Sequence, residues 1–94
     1  IVDEIISNLP QNVYISFDID GLSPLFCPST GTPVPGGLSF NEACYLLERL
    51  KETGKQVIGF DLCEVVSDST GRKIDENVGA RILYKLCGAA ISSQ

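Results

Sequence analysis

The spacing of apolar residues changes along the chain and predicts alternating helices and strands. Near the start, apolar residues recur at the three- and four-residue intervals of an amphipathic helix, which Pro10 ends. The residues at these intervals are Val2, Ile5, Ile6 and Leu9. The following segment, Val13–Asp20, is rich in β-branched and aromatic side chains and therefore predicts a strand.

A long loop and a second helix come next. Prolines and glycines recur through Gly21–Leu38, which predicts a loop stiffened by proline. Ser39 and Glu42 have the spacing of a capping box, in which each side chain accepts a hydrogen bond from the other residue's backbone N–H. The helix that begins there closes at Gly54.

The remaining pattern is a strand, a turn and a helix. Val57–Val65 predicts a second strand, Ser67–Lys73 a polar turn, and Asp75–Cys87 a helix with apolar residues on one face. The complete order is helix, strand, helix, strand, helix. Apolar strands joined through a helix form parallel sheets covered by helices, so we predict an α/β fold.

Acidic residues fall where both predicted strands end. Asp18 and Asp20 close the first strand and Glu64 the second, at the carboxyl ends where parallel sheets bind ligands. Alternation along a strand places Asp18 and Asp20 on the same side. Two like charges this close favour a divalent cation such as Mg²⁺, Mn²⁺ or Ca²⁺ between them. Surface exposure at a fraying strand end, or a cap of the turn at Gly21, explains the pair equally well.

Composition narrows the classes of partner. The chain of 94 residues has a net charge of −5 and no basic cluster, which argues against nucleic acids and anionic membranes as partners. No apolar run approaches the ~18 residues of a membrane span. The four cysteines form no C-x-x-C pair, so we expect reduced thiols in a cytoplasmic protein, with a disulfide framework as the alternative.

The segment SFDIDGLSPLFCPSTGTPVPGG resembles the signature of the arginase and agmatinase family of ureohydrolases. In that signature a strand ending in D-x-D precedes a proline-bearing loop with G-T-P. The strand start VYI and the later strand GFDLCEV also match in order, so the resemblance covers about residues 13–66. It implies a three-layer α/β/α sandwich with a parallel sheet, in which residues 1–94 would be the carboxyl-terminal portion of a single domain.

The resemblance also implies roles for four residues. Asp18 matches a carboxylate that bridges two Mn²⁺ ions, and Asp20 matches one that binds a single ion. Glu64 matches the catalytic glutamate that binds the substrate's guanidinium, and Thr32 matches a threonine that supports this glutamate. The implied reaction is metal-dependent hydrolysis of a guanidino or amidino C–N bond. Arginine, which gives ornithine and urea, is the leading substrate, with agmatine or formiminoglutamate as alternatives.

Departures from the family pattern bear on what this chain does alone. The family's metal site also uses a histidine and a D-A-H-x-D segment, whereas this chain contains no histidine. We therefore expect that an N-terminal part of the same fold is missing and that the isolated 94-residue chain is inactive. The intact protein is expected to be a homo-oligomer. After Val65 the sequence lacks the asparagine-proline pair of arginases, which leaves the substrate open.

Three other residues are interpreted as structural. Asp61 lies three positions before Glu64 and has the opposite strand parity, which predicts a hydrogen-bonding role outside the pocket of Glu64. Cys27 and Cys63 are predicted to be packing residues.

Two other functions remain as alternatives. Haloacid-dehalogenase-type phosphatases carry a similar strand with a D-x-D-G-[TV] motif. In this chain Leu22 occupies the Thr or Val position, and no later pair of acidic residues supplies further magnesium ligands. The second alternative is a non-catalytic assembly module that kept the fold and lost the metal ligands.

Overall fold

The computed structural model describes residues 1–67 and 71–93. Its helices and strands are α1 (Val2–Ser7), β1 (Asn12–Asp18), α2 (Phe40–Glu52), β2 (Gln56–Cys63) and α3 (Ile74–Ser92). The predicted α/β order is therefore confirmed. The predicted turn over 67–73 includes residues outside the described ranges. No helix within these ranges is long and apolar enough to cross a membrane.

The sheet consists of β1 and β2, which pair in parallel. Their register runs from Asn12 opposite Gln56 to Asp18 opposite Cys63, with one shift after Val13. The chain passes from β1 to β2 through the long loop and α2, which is the predicted strand–helix–strand connection. Because the strands run in the same direction, Asp18 and Cys63 lie side by side at what we call the carboxyl edge.

The start of α2 has the predicted capping box. The Ser39 Oγ accepts a hydrogen bond from the backbone N–H of Glu42 at 3.0 Å, and the Glu42 Oε1 accepts one from the backbone N–H of Ser39 at 2.8 Å. Two of the N–H groups that a helix leaves without an internal partner are thereby satisfied. After α2, Gly54 adopts a φ of +80°, which lets the chain turn into β2.

Helices α2 and α3 cover one face of the sheet. Leu47 of α2 packs with Ile82 and Leu86 of α3 in a buried cluster. The strand side chains packed against this cluster are Ile15, Phe17, Phe60 and Leu62. The opposite face carries Tyr14, whose side chain is 58% exposed. Within the described residues, helices therefore protect one face of the sheet and leave the other open.

The first strand is shorter than predicted. It ends at Asp18 rather than Asp20, because Ile19–Gly21 forms a turn of 3₁₀ helix. The backbone N–H of Leu22 donates a hydrogen bond to the carbonyl oxygen of Ile19 at 3.0 Å, which closes this turn. Strand alternation consequently does not set the direction of Asp20.

The last helix is longer than predicted. It begins at Ile74 and continues to Ser92, past the expected end at Cys87. Ala89, on the added length, packs in a second buried cluster. The other buried members of that cluster are Ile6, Val13, Leu50 and Val57. The extension is stable because tertiary burial adds to the helix propensity of alanine.

The long loop is closed at its base by two backbone hydrogen bonds. Leu38 N–H donates to Gly21 O at 3.0 Å, and Ser23 N–H donates to Leu38 O at 2.7 Å. Gly37 lies against this closure, where an added Cβ would be 2.7 Å from Gly21 O and 2.8 Å from Leu22 O. Glycine is required here because any side chain would collide with backbone that cannot move aside.

We predict that Gly37→Ala destabilises the protein by about 1–3 kcal/mol, the usual cost of forcing an extra carbon into a packed site. Gly31→Ala is the matched control, since its added Cβ would have no heavy atom within 4 Å. Urea unfolding of the two variants measures the difference. Equal unfolding midpoints for Gly37→Ala and Gly31→Ala would contradict the role of this closure.

Candidate metal centre

Three side chains that can bind a metal meet at the carboxyl edge. Asp18 ends β1, Cys63 ends β2, and Asp61 precedes Cys63 by two residues on the same strand. One ligand atom from each of these residues lies within 4.8 Å of the other two. This group of three is called the edge cluster below.

Asp61 is held by hydroxyl groups of the neighbouring strand. The Tyr14 hydroxyl donates to its Oδ2 at 3.0 Å, and the Ser16 hydroxyl donates to its Oδ1 at 3.0 Å. The predicted hydrogen-bonding role of Asp61 is confirmed by these contacts. The hydrogen bond and the charge of Asp61 also raise the pKa of the Tyr14 phenol above its ordinary value.

Asp61 also belongs to the edge cluster, which its position in the sequence did not predict. Alternation along the strand separates Asp61 from Glu64, three positions later. It places Asp61 on the same strand face as Cys63, two positions later. The D-x-C spacing of these two residues was a visible signal. It gained meaning only from the register that sets Cys63 opposite Asp18.

Cys63 is not the packing residue that was predicted. Its thiol is exposed at the carboxyl edge and lies 3.7 Å from Asp61 Oδ1. Partial desolvation and then the charge of Asp61 raise the pKa of this thiol, so the neutral form predominates at neutral pH. The prediction failed because the strand ends there and leaves the side chain unburied. Cys27, in contrast, is fully buried among apolar residues, as predicted.

Asp20 lies in the 3₁₀ turn that follows β1, outside the edge cluster. It is partly buried, and the Thr32 hydroxyl donates to its Oδ2 at 2.5 Å. The long loop therefore returns to the strand end and orients this carboxylate. The hydrogen bond that the structure gives Thr32 goes to Asp20, and its support of Glu64 stays a prediction.

Glu64 follows β2 directly, in an unusual backbone conformation. The strand ends at Cys63 rather than at the predicted Val65, and Glu64 has a φ of +70°. This left-handed conformation costs about 1–2 kcal/mol for a residue with a side chain. Such strain clusters at functional sites, where the surrounding structure maintains it. The Glu64 side chain is exposed at the same edge as Asp18.

The donor set of the edge cluster fits a divalent cation. Asp18 and Asp61 supply carboxylate oxygens, which suit Mn²⁺ and Mg²⁺, and Cys63 adds a softer sulfur. The described residues therefore offer donors of the kind that a divalent cation binds.

The chain matches the family model described as the Arginase family over residues 1–88. The chain belongs to the arginase family. It is 40% identical over 87 residues to an N(1)-aminopropylagmatine ureohydrolase of Thermus thermophilus, covering 93% of this chain and 29% of that protein. It is 47% identical over 64 residues to arginase-1 of Sus scrofa, covering 68% of this chain and 19% of that protein.

Solved structures of arginase-family proteins share the fold. The proclavaminate amidino hydrolase of Streptomyces clavuligerus superposes with a TM-score of 0.82 at 33% identity, covering 99% of this chain and 32% of that one. The arginase of Bacillus caldovelox gives a TM-score of 0.76 at 29% identity, covering 99% of this chain and 30% of that one. The predicted family and the arginase-like α/β fold are confirmed, and they argue against the phosphatase alternative.

The chain spans less than a third of the length of these relatives. In the Thermus thermophilus protein the matched region is 29% of the sequence, and in the Streptomyces clavuligerus structure it is 32% of the chain. The two strand ends and the long loop around the edge cluster are therefore only a part of an arginase-family chain.

We predict that Mn²⁺ slows alkylation of Cys63 in the intact protein, because a cation held by Asp18 would occupy the space beside the thiol. Cys87 is the internal control, since it is also exposed and lies on α3. Iodoacetamide labelling with and without Mn²⁺, followed by mass spectrometry of the two peptides, measures the effect. Equal protection of both thiols, or of neither, would count against a metal at the edge cluster.

Proposed function

We propose that the intact protein hydrolyses a guanidino or amidino C–N bond of a small cationic substrate. The observation that carries this proposal is the edge cluster, whose last residue, Cys63, directly precedes the exposed Glu64 in an arginase-family chain. Similar proteins are named arginase, agmatinase and N(1)-aminopropylagmatine ureohydrolase, which supports hydrolysis of this bond type.

The proposed cofactor is a pair of Mn²⁺ ions, for which Asp18 would be a ligand of both and Asp20 a ligand of one. When bound, such ions activate water for attack on the guanidino carbon. Asp20 is oriented in advance by Thr32, so little side-chain ordering remains when a cation arrives. Asp61, fixed by two hydroxyl donors, adds negative charge beside Asp18.

Glu64 is the proposed binding residue for the substrate. Its carboxylate is exposed at the carboxyl edge and can form a charge-assisted, two-point hydrogen bond with a guanidinium. The net charge of −5 favours the approach of a cationic substrate. Arginine is the leading candidate, which gives urea and ornithine, while agmatine and formiminoglutamate are the alternatives.

We further propose a cytoplasmic homo-oligomer. All four cysteines are free thiols, which agrees with a reducing compartment. Tyr84 and Ile91 on α3 are 78% and 72% exposed, and apolar side chains of this size support contact with the rest of the fold or with another subunit.

We predict that the intact protein, loaded with Mn²⁺, releases urea from arginine or agmatine. Glu64→Gln should retain the metal and raise KM at least tenfold, because a charged pair becomes a neutral hydrogen bond worth about half as much. Assays of urea, formamide and amine products across the three substrates measure this. Release of formamide would identify formiminoglutamate rather than arginine as the substrate. Absence of hydrolysis with all three substrates would favour the non-catalytic module.

We predict different metal losses for the two strand-end aspartates. Asp18→Asn should lower the content of both ions because a shared ligand contacts each, whereas Asp20→Asn should lower the content of one. Metal analysis of the purified variants gives the number of ions per chain. Full occupancy in both variants would refute the assignment of these ligands.

A further inference from the structure

Thr30 contacts the backbone of Glu64. Its hydroxyl donates to the Glu64 carbonyl oxygen at 3.3 Å, and the threonine itself is only 6% exposed. The contact joins the long loop to the first residue beyond β2, 34 positions later in the chain. Because Glu64 follows the last paired residue, Cys63, no strand pairing holds it in the left-handed conformation. A buried hydroxyl on its carbonyl supplies a constraint at this point.

The residue before Thr30 is fixed by a buried carboxylate of α3. Asp75 is fully buried, and its two oxygens accept the backbone N–H of Ser29 at 3.1 and 3.3 Å. The backbone N–H of Thr30 donates to Cys27 O at 3.3 Å. A buried carboxylate is costly unless it is hydrogen-bonded, so Asp75 strongly favours the loop position that satisfies it. The peptide on the N-terminal side of Thr30 therefore has little freedom to move.

We propose that Thr30, anchored through Asp75, is a positioning residue that sets the direction of the Glu64 side chain. The proposal rests on the proposed role of Glu64 in binding the substrate. The two loop threonines then have separate tasks. Thr32 orients the carboxylate of Asp20, and Thr30 orients the backbone that carries Glu64. Loss of the Thr30 hydroxyl should weaken substrate binding without removing metal.

The test compares three variants of the intact protein. Thr30→Val removes the hydroxyl and keeps the branched shape, whereas Thr30→Ser keeps the hydroxyl. Thr53→Val is the control. Thr53 directly follows α2, and its hydroxyl also donates to a backbone carbonyl, that of Leu50, at 2.9 Å. Thr53 is exposed whereas Thr30 is buried, so the control reports the loss of a hydroxyl-to-carbonyl hydrogen bond away from the carboxyl edge.

We expect Thr30→Val to raise KM about three- to tenfold, the effect of one lost hydrogen bond, with unchanged Mn²⁺ content. Thr30→Ser should stay within about twofold of wild type, and Thr53→Val should leave KM unchanged. A Thr30→Val variant with wild-type KM, or one that loses metal along with substrate affinity, would overturn the proposal. If Thr30→Val fails to fold, Thr30→Ala against Thr30→Ser makes the same comparison.

A second measurement separates this inference from the proposed activity. Amide hydrogen exchange over residues 62–67 should be faster in Thr30→Val than in wild type or Thr53→Val, because the left-handed backbone has lost its anchor. This readout requires no turnover. If the wild-type protein hydrolyses none of the substrates, the proposed function fails while the exchange data still test Thr30. Unchanged exchange in Thr30→Val would overturn the positioning role.

Discussion

Parallel pairing of β1 with β2 is the constraint on which the site depends. Two strands that run in the same direction must end at the same edge, so residues far apart in sequence become neighbours there. The register places Asp18 opposite Cys63 and brings Asp61 into reach. A shift of one residue would turn every side chain of one strand to the other face and separate these groups. The apolar contacts of α2 and α3 with the strands oppose such a shift.

The edge cluster concentrates negative charge. Asp18 and Asp61 place carboxylate oxygens within 4.8 Å of each other, and like charges at this distance repel. Hydroxyl donors from Tyr14 and Ser16 offset part of this repulsion at Asp61. Asp18 is exposed, so water also screens its charge. A cation would relieve the remainder, which links this geometry to the proposed metal-dependent hydrolysis.

The long loop acts as a second constraint on the same edge. It is closed at its base by the hydrogen bonds around Leu38 and held in its middle by the buried carboxylate of Asp75. Between these anchors, Thr30 and Thr32 contact the residues that follow β2 and β1, respectively. Prolines reduce the number of conformations that the unfolded loop can adopt, so less entropy is lost when this arrangement forms.

Local sequence determined the elements, the family and the position of the acidic residues at the strand ends. Capping by Ser39 and Glu42 and the apolar spacing of the helices act over a few residues, and the D-x-D strand with its G-T-P loop was enough to predict an arginase-like fold.

Tertiary structure alone decided which side chains meet. Asp61 and Cys63 lie near Asp18 because of the strand register. Thr32 donates a hydrogen bond to Asp20 because of the path of the loop. The 3₁₀ turn that follows Asp18 takes Asp20 out of the strand, so the alternation of strand side chains does not predict its direction. Register and loop path depend on contacts between residues dozens of positions apart, and spacing within a single segment carries no information about them.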